Sequence, residues 1–153
     1  RRTRFGDRKG YIRAHKSTIK NTTFLTAQLP LVIFAEVNMK NVKFDYSNLE
    51  KSYWPAKEEY LIKCRWKNVS FIKANLKSSH IEGPVFDNVN FTQADAKKSV
   101  MMLINFKEVD FTQTNLEGAT LSGNFKTVNF TKANLKGSDL RGKGNIPAEF
   151  KKY

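Results

Sequence analysis

Large apolar residues return at every fifth position along this chain. They stand at Ile19, Phe24, Leu29, Phe34, Met39, Phe44, Leu49 and Trp54, and again from Trp66 through Phe71, Leu76, Ile81, Phe86, Phe91, Ala96, Met101, Phe106, Phe111 and Leu116 to Leu121. After a one-residue deletion come Phe125, Phe130, Leu135 and Leu140, completing 24 units. Two residues before each sits a small or β-branched side chain, as at Thr22, Ala27, Val32, Val37, Val42, Ser47, Val69, Ala74 and Ser79. Side chains two apart on extended backbone point the same way, so each pair faces inward while its neighbours face water. A period of five fits neither a helix at 3.6 nor a plain strand at 2. Every unit must therefore turn a corner.

A longer period of 20 appears when 67–86 (KNVSFIKANLKSSHIEGPVF) is set over 87–106 (DNVNFTQADAKKSVMMLINF), 107–125 (KEVDFTQTNLEGATLSGNF) and 126–140 (KTVNFTKANLKGSDL). Four units make one lap. The tetrads NVSF-KANL, NVNF-QADA, VDF-TNL and VNF-KANL resemble the pentapeptide-repeat family, whose consensus is A(D/N)LXX, and the resemblance covers Ser17 to Leu140. It implies an all-β fold, a right-handed quadrilateral parallel β-helix with the two inward positions described above. About six coils are expected.

The first phase break admits two readings. Two units with a two-residue bulge between Trp54 and Trp66 would force Glu59 into the core, and an unpaired buried carboxylate is costly. A seven-residue insertion, Pro55 to Leu61, instead sets Phe44 against Phe71 and Leu49 against Leu76, and the columns become nearly pure. The insertion is adopted. The deletion before Phe125 and the Gly83-Pro84 pair fall at the same corner. Stacked at roughly 4.8 Å, six coils make a rod about 30 Å long whose open ends need caps. Phe5, Tyr11 and Ile12 at one end and Pro147 to Tyr153 at the other are the candidates.

A chain of 153 residues with 40% hydrophobic content is of single-domain size. Its net charge of +13 is concentrated at the ends. Residues 1–16 carry seven Lys or Arg and one Asp, residues 141–153 carry four basic and one acidic, and the body 17–140 has 16 basic and 12 acidic side chains. The predicted organisation is a basic N-terminal tail or cap (1–16), the β-helix (17–140, with the 55–61 loop) and a basic C-terminal tail or cap (141–153). The longest apolar stretch, Leu29 to Val37, is broken by Pro30 and Glu36 and falls far short of the roughly 20 residues of a membrane span. A soluble or peripheral protein is expected. The start at Arg1 rather than Met is read as a trimmed product.

Chemistry-bearing residues are sparse. His15 and His80 are the two histidines and neither has triad-like surroundings, so no catalytic residues are assigned and the chain is not expected to be an enzyme. Cys64, alone, can build neither a disulfide nor a zinc site, and it falls at an inward position equivalent to Val37 and Ile104. No metal or cofactor set is visible. Arg141 to Asn145 (RGKGN) lacks phosphate-loop spacing and reads as an exit turn. Asn48, Asn75, Asp95, Asn115 and Asn134 form an outward column read as turn residues that bond local backbone. The N-x-S/T sequences at Asn21, Asn68, Asn90 and Asn129 follow from the repeat itself.

Two outward features carry the functional reading. Ile33, Tyr53, His80 and Val100, with Met102 and Leu103 alongside and Tyr60 in the adjoining loop, form an apolar stripe. Such a surface is either a partner-binding site or the seat of the loop or a tail of the same chain. On the adjacent face Lys20, Lys40, Lys67, Lys107 and Lys126 form a column broken by Asp87, and together with Arg1, Arg2, Arg4 and Arg8 it would attract phosphates or acidic protein.

The first expectation is a non-catalytic protein-interaction or assembly subunit docking on a larger macromolecular complex. The alternative is a nucleic-acid-associated protein, for instance ribosome-peripheral, that holds the phosphate backbone through its basic tails and lysine column. By family analogy the setting would be plastid, thylakoid or another organelle, with the bacterial cytoplasm as the alternative, and a fragment of a secreted bacterial effector would carry the same pattern. The family's topoisomerase-inhibiting branch imitates DNA with an acidic surface, which this basic body disfavours. A homodimer is compatible with the family's end-to-end pairing but is not predicted, because the charged tails oppose it.

Overall fold

The computed structural model describes residues 12–56, 63–144 and 146. Among them every regular element is a strand, and all twelve strands belong to one parallel sheet. They are β1 (Arg13–His15), β2 (Thr18–Thr23), β3 (Ile33–Ala35), β4 (Asn38–Lys43), β5 (Tyr53–Trp54), β6 (Arg65–Ser70), β7 (His80–Glu82), β8 (Val85–Asn90), β9 (Val100–Asp110), β10 (Thr120–Phe125), β11 (Val128–Asn129) and β12 (Asp139–Gly144). Short bridges between Gln28, Asn48, Asn75, Asp95, Asn115 and Asn134 join the laps elsewhere. The chain is a four-sided β-solenoid.

Register gives the lap length directly. Lys20 pairs with Lys40, a step of 20, and Asp87 with Lys107, again 20. Met39 pairs with Trp66 and Tyr53 with His80, a step of 27, so the insertion reading holds. Pro55 still lies on the regular path, because its carbonyl accepts the Glu36 N–H at 2.9 Å, and Ala56 is buried. Buried Cys64, one residue before Arg65 in β6, is back on the path. The seven extra residues therefore follow Ala56 rather than starting at Pro55. The last step shortens to 19, Val109 to Val128, through a register shift between Leu121 and Gly123 at that same corner.

The ladder is longer at both ends than the five-residue pattern predicts. Arg13 to His15 already pair with Ile33 to Ala35, and Asp139 to Gly144 pair throughout with Thr120 to Phe125. The RGKGN segment is thus not an exit turn over Arg141 to Gly144 but strand, and it holds the ladder through backbone bonds that need no apolar side chain. Ile12 packs against the core and Ile146 is buried. The other cap candidates lie outside the described residues.

Most corners are made by one residue with positive φ. From Lys16 the series runs Asn21, Thr26, Leu31, Glu36, Asn41, Tyr46 and Lys51 at φ between 46° and 61°, continues at the same spacing from Asn68 to Gly123, and resumes after the deletion at Lys132. Only Gly and, less well, Asn favour that region, so each Lys, Tyr or Leu placed there costs roughly 1–2 kcal/mol. Burial and the coil-to-coil hydrogen bonds offset this cost. Turns such as Ala74 N–H to Phe71 carbonyl at 3.0 Å close the corners locally.

The core is columnar. Phe24, Phe44, Phe71, Phe91, Phe111 and Phe130 stack ring on ring with centroid spacings of 4.8, 5.2, 5.0, 4.9 and 5.4 Å. Trp54 packs on Phe34 in its own column at 4.5 Å and against Trp66 on the adjoining side at 5.0 Å. Two of the buried hydroxyls at the small inward positions bond within the core, Thr114 donating to the Phe91 carbonyl at 2.7 Å and Ser52 accepting the Trp54 indole N–H at 2.6 Å, whereas the Ser79 and Ser99 hydroxyls have no partner among the described residues.

Candidate functional surfaces

Two faces are defined by what they turn outward. The apolar face lies over the inward column Phe34, Trp54, Ile81, Met101 and Leu121. The lysine face follows it around the irregular corner and lies over Met39, Trp66, Phe86, Phe106 and Phe125.

On the apolar face the ladder brings Ile33, Tyr53, His80 and Val100 into successive register. Beyond them the column turns polar with Thr120 and Asp139. Tyr53 is 44% exposed and its ring meets the His80 imidazole edge-on at 5.2 Å. Met102 pairs with Glu82 in the next outward column, and Leu103, 53% exposed, occupies the corner. His80 is half-buried, with Nε2 3.5 Å from a Glu82 carboxylate oxygen. Leu31, exposed at the corner that opens this face, adds to the patch, and its place at a corner rather than on a strand keeps it out of the alternating pattern. Tyr60 and Arg1, Arg2, Arg4 and Arg8 lie outside the described residues.

On the lysine face the column is real but not uniform. Lys20, Lys40 and Lys67 are in register, as are Asp87 and Lys107 below them. Asp87 is only 7% exposed, because Lys107 hydrogen-bonds it at 3.1 Å while Lys67 and Arg65 approach at 3.7 Å. The Lys107 hydrogen bond, aided by the nearby charges of Lys107, Lys67 and Arg65, holds the carboxyl below its ordinary range despite burial. Lys67 and Lys107 thus share one counter-ion with Arg65, which the sequence did not reveal because Arg65 belongs to a different outward column.

Beside this face runs a carboxamide ladder. Asn41 Nδ2 donates to Asn21 Oδ1 at 2.9 Å, Asn68 to Asn41 at 3.0 Å and Asn88 to Asn68 at 3.0 Å. A second ladder occupies the Asn48 column, where Asn75 Nδ2 reaches Asn48 Oδ1 at 3.1 Å and Asn134 reaches Asn115 at 3.1 Å. The same residues also accept backbone N–H groups two residues on, as Asn75 does from Lys77 at 3.1 Å. The turn role therefore coexists with a coil-to-coil role.

Cys64 is buried beside Glu36, and burial first, then the Glu36 charge, pushes its thiol pKa up, as for an inert core residue. Glu36, also buried, faces Lys16 at 3.7 Å and His15 at 3.9 Å. Among the described residues no three His, Cys, Asp or Glu side chains converge as metal ligands, and no helix is long and apolar enough to cross a membrane.

A four-sided parallel solenoid with differentiated outer faces defines the class of molecule. The family model for pentapeptide repeats matches residues 85–123 and 124–142 as eight copies, and the same five-residue period and lap of 20 run through the coils before them. No curated protein matches it. Among solved structures it is similar to a trypsin-treated form of QnrB1, described as a plasmid-mediated fluoroquinolone resistance protein, at 17% identity over 87% of this chain and 84% of that one, with a TM-score of 0.49. HetL, a pentapeptide repeat protein involved in heterocyst differentiation regulation from the cyanobacterium Nostoc, matches at 12% identity over 85% and 73% of the two chains, TM-score 0.34. A pentapeptide repeat protein from the Arabidopsis thaliana thylakoid lumen matches at 17% identity over 84% and 71%, TM-score 0.35. At these identities none of them transfers a function to this chain.

Proposed function

We propose that this protein is a non-catalytic docking subunit that binds a partner protein across the apolar face, as part of a larger macromolecular complex. The observation that carries the reading is the register of Ile33, Tyr53, His80 and Val100, which builds one continuous outward column instead of scattered apolar residues. Solvent-facing columns of a solenoid have no packing reason to be apolar, and a contiguous patch of this kind marks an interaction site. Tyr53 has the features of an anchor: a large ring, held by His80, with a polar tip.

The test uses Val100→Glu and Tyr53→Glu. Both positions face outward, so both variants should keep the wild-type melting temperature within a few degrees. Partners that stay bound to the wild type at high salt should be lost from both variants. Retention of the same partners by correctly folded variants would sink the reading.

A further inference from the structure

The described cations are not spread evenly along the rod. Residues 12–56 and 63–73 hold ten Lys or Arg against three Asp or Glu, whereas 74–144 and 146 hold nine against seven. On the leucine side of the rod the cations are matched, since Lys77 meets Asp95 at 3.0 Å and Lys97 meets Glu117 at 3.0 Å. On the lysine face the first acid met in the column is Asp87, below Lys67.

Every outward group of that face in the upper coils is polar. Lys20, Lys40 and Lys67 fill one column, Thr18, Asn38 and Arg65 the other, and the Asn21, Asn41 and Asn68 ladder lines the corner. The three lysines and the three corner asparagines are exposed. Asn41 and Asn68 each spend one N–H on the coil before, which leaves the second N–H for a ligand. Among the described residues of this face no apolar side chain is available to form the desolvated centre that a protein–protein interface is built on. Polar, cationic and wet surfaces of this kind suit phosphate. With no aromatic residue among them, they offer no platform for stacking unpaired bases.

We propose that the lysine face from Lys20 to Lys67 binds the phosphate backbone of a nucleic-acid duplex without reading its sequence, and that Asp87 is the internal counter-ion that ends this strip. The cluster around Asp87 shows the chemistry in miniature: two lysines and an arginine close on a single anion. This site is separate from the apolar face and stands or falls without it.

The experiment measures binding of the full chain to a 20-base-pair DNA duplex and its RNA equivalent by fluorescence anisotropy across a KCl series. The variant Lys20→Gln/Lys40→Gln/Lys67→Gln should lower the slope of log K against log[KCl] by about 2.7, at about 0.9 per phosphate lost. A control with the same charge change, Lys77→Gln/Lys97→Gln/Lys136→Gln, should leave the slope nearly unchanged. Asp87→Asn should tighten binding at 0.1 M salt by about eightfold for one added phosphate contact.

Equal slopes for the two triple variants, no duplex binding tighter than about 0.1 mM at 50 mM KCl, or equal competition by polyglutamate per unit charge would each overturn the proposal. The last outcome would point to an acidic protein surface instead. All substituted lysines are surface residues, and thermal melting confirms that each variant is folded before it is scored.

Discussion

Phe71 lies directly over Phe91, ring centroids 5.0 Å apart and ring planes 4° from parallel. This pair is the middle of a six-ring column that runs the length of the prism, and each ring fills the floor of one coil and the ceiling of the next. Phe91→Ala would therefore leave a cavity touching three coils at once. A loss of about 3–5 kcal/mol is expected in urea unfolding. A loss below about 1 kcal/mol would mean that the column is not what holds the coils together.

Gly123 marks the one-residue deletion at the irregular corner, with φ 147° and no room for a side chain. A Cβ there would fall 1.9 Å from the Ile104 carbonyl oxygen, and backbone cannot swing aside as a flexible side chain can. Gly123→Ala should cost about 2–3 kcal/mol through this overpacking. Gly137, at φ 65° with nothing within 4 Å of the same position, pays only the left-handed backbone term. Gly137→Ala should cost about 1 kcal/mol. Melting curves of the two variants give the ranking.

Asn75 works in two directions. It donates to Asn48 on the preceding coil and accepts the Lys77 N–H in its own turn. Asn75→Ala removes both bonds, and a loss of about 1–3 kcal/mol is expected. Asn75→Asp keeps the turn acceptor and loses only the donor, as Asp95 already does one coil on, where it accepts from Lys97 and Asn115. The aspartate variant should therefore retain much of the stability that the alanine variant loses. Equal losses in denaturant titration would show that the ladder bond, not the turn, carries the effect.

The Asp87 cluster makes stability depend on pH in a defined sense. Its carboxyl is held below the ordinary value of 3.8, the Lys107 hydrogen bond being the main cause. Its contribution is therefore complete above that value and disappears as pH falls through the lower folded-state pKa. Unfolding free energies of the wild type and Asp87→Asn should differ most near neutral pH and converge as pH falls below the lowered folded-state pKa of Asp87. A gap that persists in acid would mean that Asp87 acts through packing and not through its charge.

The sequence by itself determined the cross-section. A five-residue spacing of large side chains, each with a small partner two residues earlier, can be buried only by a chain that turns after every unit, and the lap of 20 then stacks like on like. The size of the insertion followed from the same logic, because only a seven-residue excess lays Phe44 under Phe71 and keeps a carboxylate out of the core. What only the tertiary structure decided are relationships between coils, which join residues 19, 20 or 27 apart. Asp87 gathers Arg65 from another column, and the asparagines at the corners bond their counterparts one lap away. Arg141 to Gly144 become strand through backbone pairing that no side-chain pattern announces. The corners themselves were legible as places where the chain must turn. That Lys, Tyr and Leu would take positive φ there was not, because local preference opposes it and only the stacked coils make up the cost.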